Sequence, residues 1–591
     1  MRPWLFVFFV PFCEIISVRI WPPARRIGDR RSAGRAGSGG TVWMRRERSP
    51  QTHRGRSGVN RTFSARQPTI MKNTNLPFRP RIFAATFLAA LALLAAFSAE
   101  AVVRLPRVLA SDMVLQRDLP IQIWGWADPG EKVTCELGKE KATATATAAG
   151  QWLVKLPALS AGGPHELTVS GNNTLKLTGI LVGEVWLCSG QSNMEMGVGM
   201  CKDAKVEIAA ATNPNIRLFL VPKKASGVPL NDVDATWQVC SPASIAQGGW
   251  GGFSAAAYYF GRELQQSLNV PVGLIASSWG GTRIEPWTPP VGFAAVPAVK
   301  SIGEKIQQAD ADYRKAAVTG LDQVEAALGK ARKALEAGQP LPPVPALALK
   351  HRLDSSGEPT GLYNGMIYPL IPFGIRGAIW YQGESNNGEN MLYFEKMKAL
   401  IGGWREVWKQ GEFPFLFVQL APYRYGGAPT QLPGIWNAQL ASLSIPKTGM
   451  AVTTDITTLN DIHPPNKQDI GKRLAFWALA TTYGKKDLVY SGPLYKSLKN
   501  DGGKIVVSFD HTGSGLVTRD GLDVTNFEIA GADGKFVKAL AKIDGDKLIV
   551  SAEEVTAPTQ VRFAWHQLAQ PNLMNKEKLP ASPFSSAELA R

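Results

Sequence analysis

From Arg107 to about Ile180, short apolar runs alternate residue by residue with polar ones and are separated by Gly, Pro and Asn clusters. Ile121 to Trp124, Val133 to Leu137, Trp152 to Leu156 and Leu167 to Val169 are such runs, and period-2 alternation of this kind predicts half-buried strands of a small β-sandwich, placed here at residues 102–180. The pattern then changes. Strand-like runs at Val272 to Ser278, Ala378 to Gln382, Phe415 to Leu420 and Met450 to Asp455 alternate with helical segments, which predicts an α/β region over 181–487. Met391 to Trp408 carries Tyr393, Met397, Leu400, Trp404 and Trp408 on one helical face, a core-packing stripe. Residues 299–345 hold an Ala/Lys/Glu/Gln-rich stretch of strong helix formers ended by Pro340 to Pro345, and predict an inserted helical arm. Past Leu488 the alternation returns, with Lys504 to Phe509, Lys547 to Val550 and Gln560 to Trp565 punctuated by Asp-Gly pairs, so 488–591 is expected to form a second β domain.

Composition alters the picture only at the start of the chain. Met1 to Ile70 contains fourteen arginines, no lysine and three acids, unlike everything after it. Met71 opens a basic stretch (Lys72, Arg79, Arg81), then an uncharged apolar run from Ile82 to Phe97, then Ala99-Glu100-Ala101, a small-x-small site. Residues 71–101 are therefore expected to be a secretory signal peptide with the true start at Met71, and 1–70 a disordered upstream extension that arises from a gene-start error, the alternative being a genuine Arg-rich extension. The destination implied is secreted or periplasmic. The formal charge of +17 includes +11 from the extension and +2 from the leader, which leaves +4 for Val102 onward. So small a charge over so long a chain implies no nucleic-acid partner. No run after the leader is apolar enough to span a membrane. Cys135, Cys188, Cys201 and Cys240 match no zinc spacing, and their pairing and the oligomeric state are left open.

Chemistry concentrates in four loops, each after a predicted strand. Cys188-Ser189-Gly190-Gln191-Ser192-Asn193-Met194 joins the apolar run Glu184 to Leu187 to a helix start, and its small residues permit the tight turn that exposes Ser192. A serine hydroxyl needs a base held by a third group. Of the five histidines after Met71, His463 alone lies in a loop between strand and helix with a carboxylate, Asp461, two residues before it. That spacing lets Asp461 reach Nδ1 and leave Nε2 for the serine proton. His165, His351, His511 and His566 read as surface or structural histidines. Trp380-Tyr381-Gln382-Gly383-Glu384-Ser385-Asn386 and Ser277-Ser278-Trp279-Gly280-Gly281-Thr282-Arg283 offer an amide and paired glycines, the donors an oxyanion hole requires.

These blocks, GQSNM, SWGGTRIEPW, WYQGESN and DIHP in this order, resemble those of the sialate O-acetylesterase family, within the SGNH-type serine esterases. The resemblance extends over Val102 to Arg591. It implies a flavodoxin-like three-layer α/β/α core flanked by β-sandwich-like domains, no metal or cofactor, and deacetylation of O-acetylated sugars. Position by position it implies Ser192 as nucleophile, His463 as base and Asp461 as orienting acid. It makes the Ser192 N–H, a glycine of the Gly280-Gly281 pair and Gln382 the oxyanion donors. Asn460 stands where the wider group has its acid, so a Ser-His dyad oriented by a backbone carbonyl is the alternative to Asp461. Glu384 is either a competing carboxylate or a buried brace of its loop. Arg283 either meets a sugar carboxylate or braces Glu285, and Asn193 is a further substrate-contact candidate. Acetylated xylan or another polysaccharide is the alternative substrate, and a sugar-binding protein with a lapsed esterase core the alternative of another class.

Overall fold

The computed structural model describes residues 102–589; the expected extension 1–70 and signal peptide 71–101 lie outside the described residues. The chain is mixed α/β, with a central mixed sheet and β-rich regions on either side of it in sequence.

Seven strands make the functional part of the sheet: β1 Thr174–Gly190, β2 Ile216–Leu220, β3 Trp237–Val239, β4 Val272–Ser278, β5 Gly377–Tyr381, β6 Phe415–Val418 and β7 Thr448–Ala451. Their spatial order is β7-β6-β5-β1-β4-β2-β3, parallel throughout except for β3. Every residue of β4, β5 and β6 is buried, as expected of parallel strands covered on both faces by their crossovers. The apolar stripes of the helices supply that cover, α2 Ala255–Leu268, α4 Leu392–Trp408, α5 Gln431–Ala441 and α6 Lys467–Thr481. Before α4 comes the arm, α3 Lys300–Glu336.

Strand β1 is the hinge of the architecture. Its first half pairs antiparallel with Gly162–Ser170 of the leading β region, and its second half lies between β4 and β5. The boundary expected at 180 therefore falls inside one continuous strand of 17 residues, and the run Glu184 to Leu187 is its buried end rather than a short strand of its own. Glu184, fully buried, is paired there with Arg117 and Arg376 at 2.5 and 2.7 Å, so its charge is compensated where the leading region meets the core. The trailing β region is joined to the core by Gln419 Nε2 donating to Ser582 Oγ at 2.8 Å and by Ser585 N–H donating to Asn437 Oδ1 at 3.1 Å.

Register explains why the motif loops meet. Ser189 lies level with Ser277 on one side and Trp380 on the other, so β1, β4 and β5 end together. Gly190, the last residue of β1, has φ +147, and a Cβ there would stand 2.1 Å from the Tyr381 carbonyl oxygen. Only glycine lets the chain turn out of the sheet this close to its neighbour.

Candidate functional site

Immediately after that turn, Ser192 is the first residue of α1, Ser192–Glu195. Its Oγ lies 2.9 Å from Nε2 of His463, which arrives from the loop between β7 and α6. The imidazole ring packs edge-on against Trp250 with ring centres 4.6 Å apart. Burial and the nearby Lys467 hold the His463 pKa below its ordinary value, while Asp461 pulls it back upward. The ring is therefore neutral near pH 7 and able to accept a proton.

Asp461 is placed less simply than the spacing suggests. Its Oδ1 accepts the backbone N–H of His463 at 2.9 Å and stands 3.5 Å from Nδ1, beyond good hydrogen-bond length. With 63% of its side chain exposed, it braces the loop firmly and the ring only weakly.

Asn193 sits at the centre of a buried network. Its amide nitrogen donates to Glu384 Oε1 at 2.5 Å and to the carbonyl of Ile462 at 2.9 Å, and its Oδ1 accepts from Lys467 Nζ at 2.6 Å. The residue after the nucleophile is thus tied to the residue before the histidine. Burial lifts the Glu384 pKa and pulls Lys467 down to about 7, because each charge has lost its water. Asn193 has both its polar atoms turned to the protein, so it braces the loops, and Glu384, a candidate substrate contact as well as a candidate carboxylate or brace, is engaged through Oε1 alone. Glu384 Oε2 is buried with no partner among the described residues.

Gln382 is also corrected. Its Nε2 faces Gln191 Oε1 at 3.1 Å, the Thr282 carbonyl at 3.2 Å and Asn386 Oδ1 at 2.8 Å, while its Oε1 accepts from Tyr393 Oη at 2.9 Å. Two amide hydrogens with three acceptors have nothing left for an oxyanion; the residue binds three loops together. Arg283 donates to Glu285 at 3.3 Å, to the Ser385 carbonyl at 3.1 Å and to Glu389. Its brace reading is the one realised, and its guanidinium is no free receptor for a carboxylate.

Of the paired glycines, Gly280 lies against the nucleophile: a Cβ on it would be 3.2 Å from Ser192 Cβ. Its N–H donates to Glu195 Oε2 at 2.6 Å, and Glu195 Oε1 accepts from Lys223 at 2.6 Å. The N–H groups of Ser192 and Gly281 have no acceptor among the described residues. Sequence reasoning does not single out Glu195, Lys223, Trp250 or Lys467. Glu195 alone leaves a signal, one helical turn after Ser192 and so above it on the same face. The four cysteines are buried free thiols, and burial raises Cys188 far from reactivity. His351 is buried with Nε2 3.1 Å from Asp310, a structural histidine at the base of the arm.

A serine and a neutral histidine in contact, among backbone donors at the carboxyl edge of a parallel sheet, are the furnishings of an ester hydrolase. The family model for carbohydrate esterases, sialic acid-specific acetylesterase, matches residues 182–321 and 358–479. Mouse sialate O-acetylesterase is 32% identical over 422 residues, covering 66% of this chain and 75% of that protein. The human protein of the same name is 33% identical over 431 residues, covering 67% and 74%. The crystal structure of a carbohydrate acetylesterase from Xanthomonas citri superposes with a TM-score of 0.69 at 38% identity, covering 82% of this chain and 99% of that one. The chain belongs to the sialate O-acetylesterase family and is an esterase.

Proposed function

We propose that the protein is a secreted or periplasmic enzyme that removes acetyl groups from O-acetylated sugars through an acetyl-enzyme on Ser192. The observation that carries this reading is the 2.9 Å contact between Ser192 Oγ and His463 Nε2. His463 takes the serine proton as Oγ attacks the acetyl carbonyl carbon. The oxygen that becomes negative is held by the Ser192 N–H and by an N–H of the Gly280-Gly281 pair. His463 returns the proton to the sugar oxygen as the C–O bond breaks, then activates the water that releases acetate. Asp461 acts as a loop brace with a weak pull on the ring, so the pair works as a dyad with an auxiliary acid. The core is read as the flavodoxin-like α/β/α type of SGNH esterases, between β-sandwich-like domains. Secretion rests on the leader pattern at 71–101.

For the sugar, the names of the family model and of the mammalian relatives favour O-acetylated sialic acid. The commitment of Arg283 to Glu285 and Glu389 favours a second reading, a neutral acetylated polysaccharide such as acetylxylan, since the guanidinium in the glycine loop is already paired with carboxylates of the protein. Acetate release from the two substrates side by side decides between them. Ser192→Ala should abolish release from both and from a chromogenic acetyl ester; retained turnover would defeat the scheme. Stoichiometric labelling of Ser192 by an organophosphate excludes a binding protein with a lapsed site.

A further inference from the structure

Helix α3 is the largest element that the esterase site does not use. It buries only Gly303, Ile306 and Ala309, all within its first three turns. Farther out, the extended chain after the helix returns along one side, where Leu347 packs on Gly320. Another side stays bare. Val318 is 59% exposed, Leu321 49%, Leu328 45% and Leu335 67%. The three leucines recur every seven residues, the interval at which a helix presents one seam to a partner helix. A lone helix with such a seam leaves apolar area in water that a partner would cover. The family model breaks off at residue 321 and resumes at 358, so the outer arm lies outside the part of the chain that it matches.

Two charges say what covers the seam. Glu325 and Arg332, both exposed, flank the leucines along the same edge. Seven residues, roughly 10 Å of helix, separate them, too far for an ion pair within one helix. We propose that the arm is where two copies of this chain associate, helix against helix and antiparallel, about a two-fold axis at Leu328. Leu328 then meets Leu328 of the second copy, and Leu321 meets Leu335 of the second copy, on both sides of the axis. Glu325 falls beside Arg332 of the second copy twice over. A parallel pairing would set this charged edge against the opposite edge of the second copy, that of Val324 and Ala331, and leave both charges unpaired, so the charge order selects the antiparallel one. The small residue Ala331, beside Leu328 on the uncharged edge of the seam, permits close approach of the two backbones. The contact is isologous, so it closes at two chains and leaves no free seam. It does not depend on the chemistry assigned to Ser192.

Sedimentation velocity of the protein over roughly 1 to 100 µM, the range in which a small interface operates, tests the arrangement. The wild type should shift from monomer to dimer with concentration. Glu325→Arg should raise the dissociation constant about tenfold or more, Arg332→Glu should do the same, and the double exchange should return it to within about threefold of wild type. Leu328→Asp should leave monomer only. All four should keep the wild-type circular dichroism and esterase rate, which separates this test from any failure at Ser192. A wild type that stays monomeric throughout overturns the proposal. So does a dimer indifferent to these changes, or a double exchange no better than either single one.

Discussion

Lys467 Nζ donates to Asn193 Oδ1 at 2.6 Å, so the helix that follows the histidine loop is fastened to the residue that follows the nucleophile. Asn193 in turn donates to the carbonyl of Ile462. The 2.9 Å contact between Ser192 and His463 is thereby fixed by two bonds that bypass both reacting side chains. A geometry held within a few tenths of an ångström needs such support.

Lys467→Met should therefore lower kcat about tenfold to hundredfold while KM changes little, because the loss is one of alignment. It also removes a positive neighbour that holds His463 down, so the acid limb of the pH-rate profile should move to higher pH. Stability gives a second readout. Folding lowers this lysine from 10.5 to about 7, so between those values the unfolded chain binds more protons and stability rises with pH. Thermal melts of wild type across that window should show the rise, and melts of the variant should show it reduced.

Asp461→Asn should cost only about tenfold in kcat/KM, far below the roughly ten-thousandfold known for a buried triad acid. The asparagine oxygen still accepts the His463 backbone N–H, and the 3.5 Å gap to Nδ1 leaves little ring interaction to lose. Since Asp461 raises the histidine pKa, its neutralisation should move the acid limb to lower pH, opposite to the Lys467 variant. A thousandfold loss with no such shift would restore Asp461 as a full triad member.

What was legible beforehand follows the physics of each feature. The strand at Val272–Ser278 matches its apolar run end to end, and α4 begins and ends within one residue of its patterned segment Met391 to Trp408, because periodicity records burial directly. Ser192 and His463 were legible because small residues at a strand end and a histidine between strand and helix have few other uses. Partners chosen by convergence were not. Gln382 has the right type and place for an oxyanion donor, yet Gln191, Thr282 and Asn386 come from three separate segments to claim its hydrogens. Lys467 reads as one more exposed residue at a helix start until the Ser192 turn is placed over it. The boundary at 180 was illegible for a related reason: alternation and continuous burial meet inside one strand with no break in the backbone.

Gln382→Ala should act first on stability. It leaves the Thr282 carbonyl without its donor in a dry site, at about 1–3 kcal/mol, while Gln191 Oε1, Asn386 Oδ1 and Tyr393 Oη keep the Ser385 N–H, the Ile284 N–H and the Gln382 carbonyl as partners. Urea unfolding should show the midpoint falling, and the remaining folded enzyme should lose kcat through loosened loops. An unchanged midpoint with a hundredfold to thousandfold drop in kcat, the signature of a lost oxyanion donor, would return Gln382 to the oxyanion hole.

The two glycines separate by the same kind of comparison. At Gly280 a methyl group would meet both Ser192 Cβ and Glu195 Oε2 at 3.2 Å, so the nucleophile must shift by a few tenths of an ångström or the carboxylate must leave the Gly280 N–H. Gly280→Ala should accordingly cut kcat/KM about tenfold to hundredfold on every acetyl ester tried, with a melting temperature close to wild type. At Gly281 nothing stands within 4 Å of the added methyl, and the only penalty is the φ of +75, worth about 1 kcal/mol for a residue with a Cβ. Gly281→Ala should lower the melting temperature slightly and leave the chemical step almost intact. Melting curves and steady-state rates on the two purified variants check both halves. If the order is reversed, with Gly281→Ala inactive and Gly280→Ala near wild type, the reacting carbonyl lies against Gly281, and the Glu195 contact to Gly280 is a permanent brace rather than one that substrate displaces.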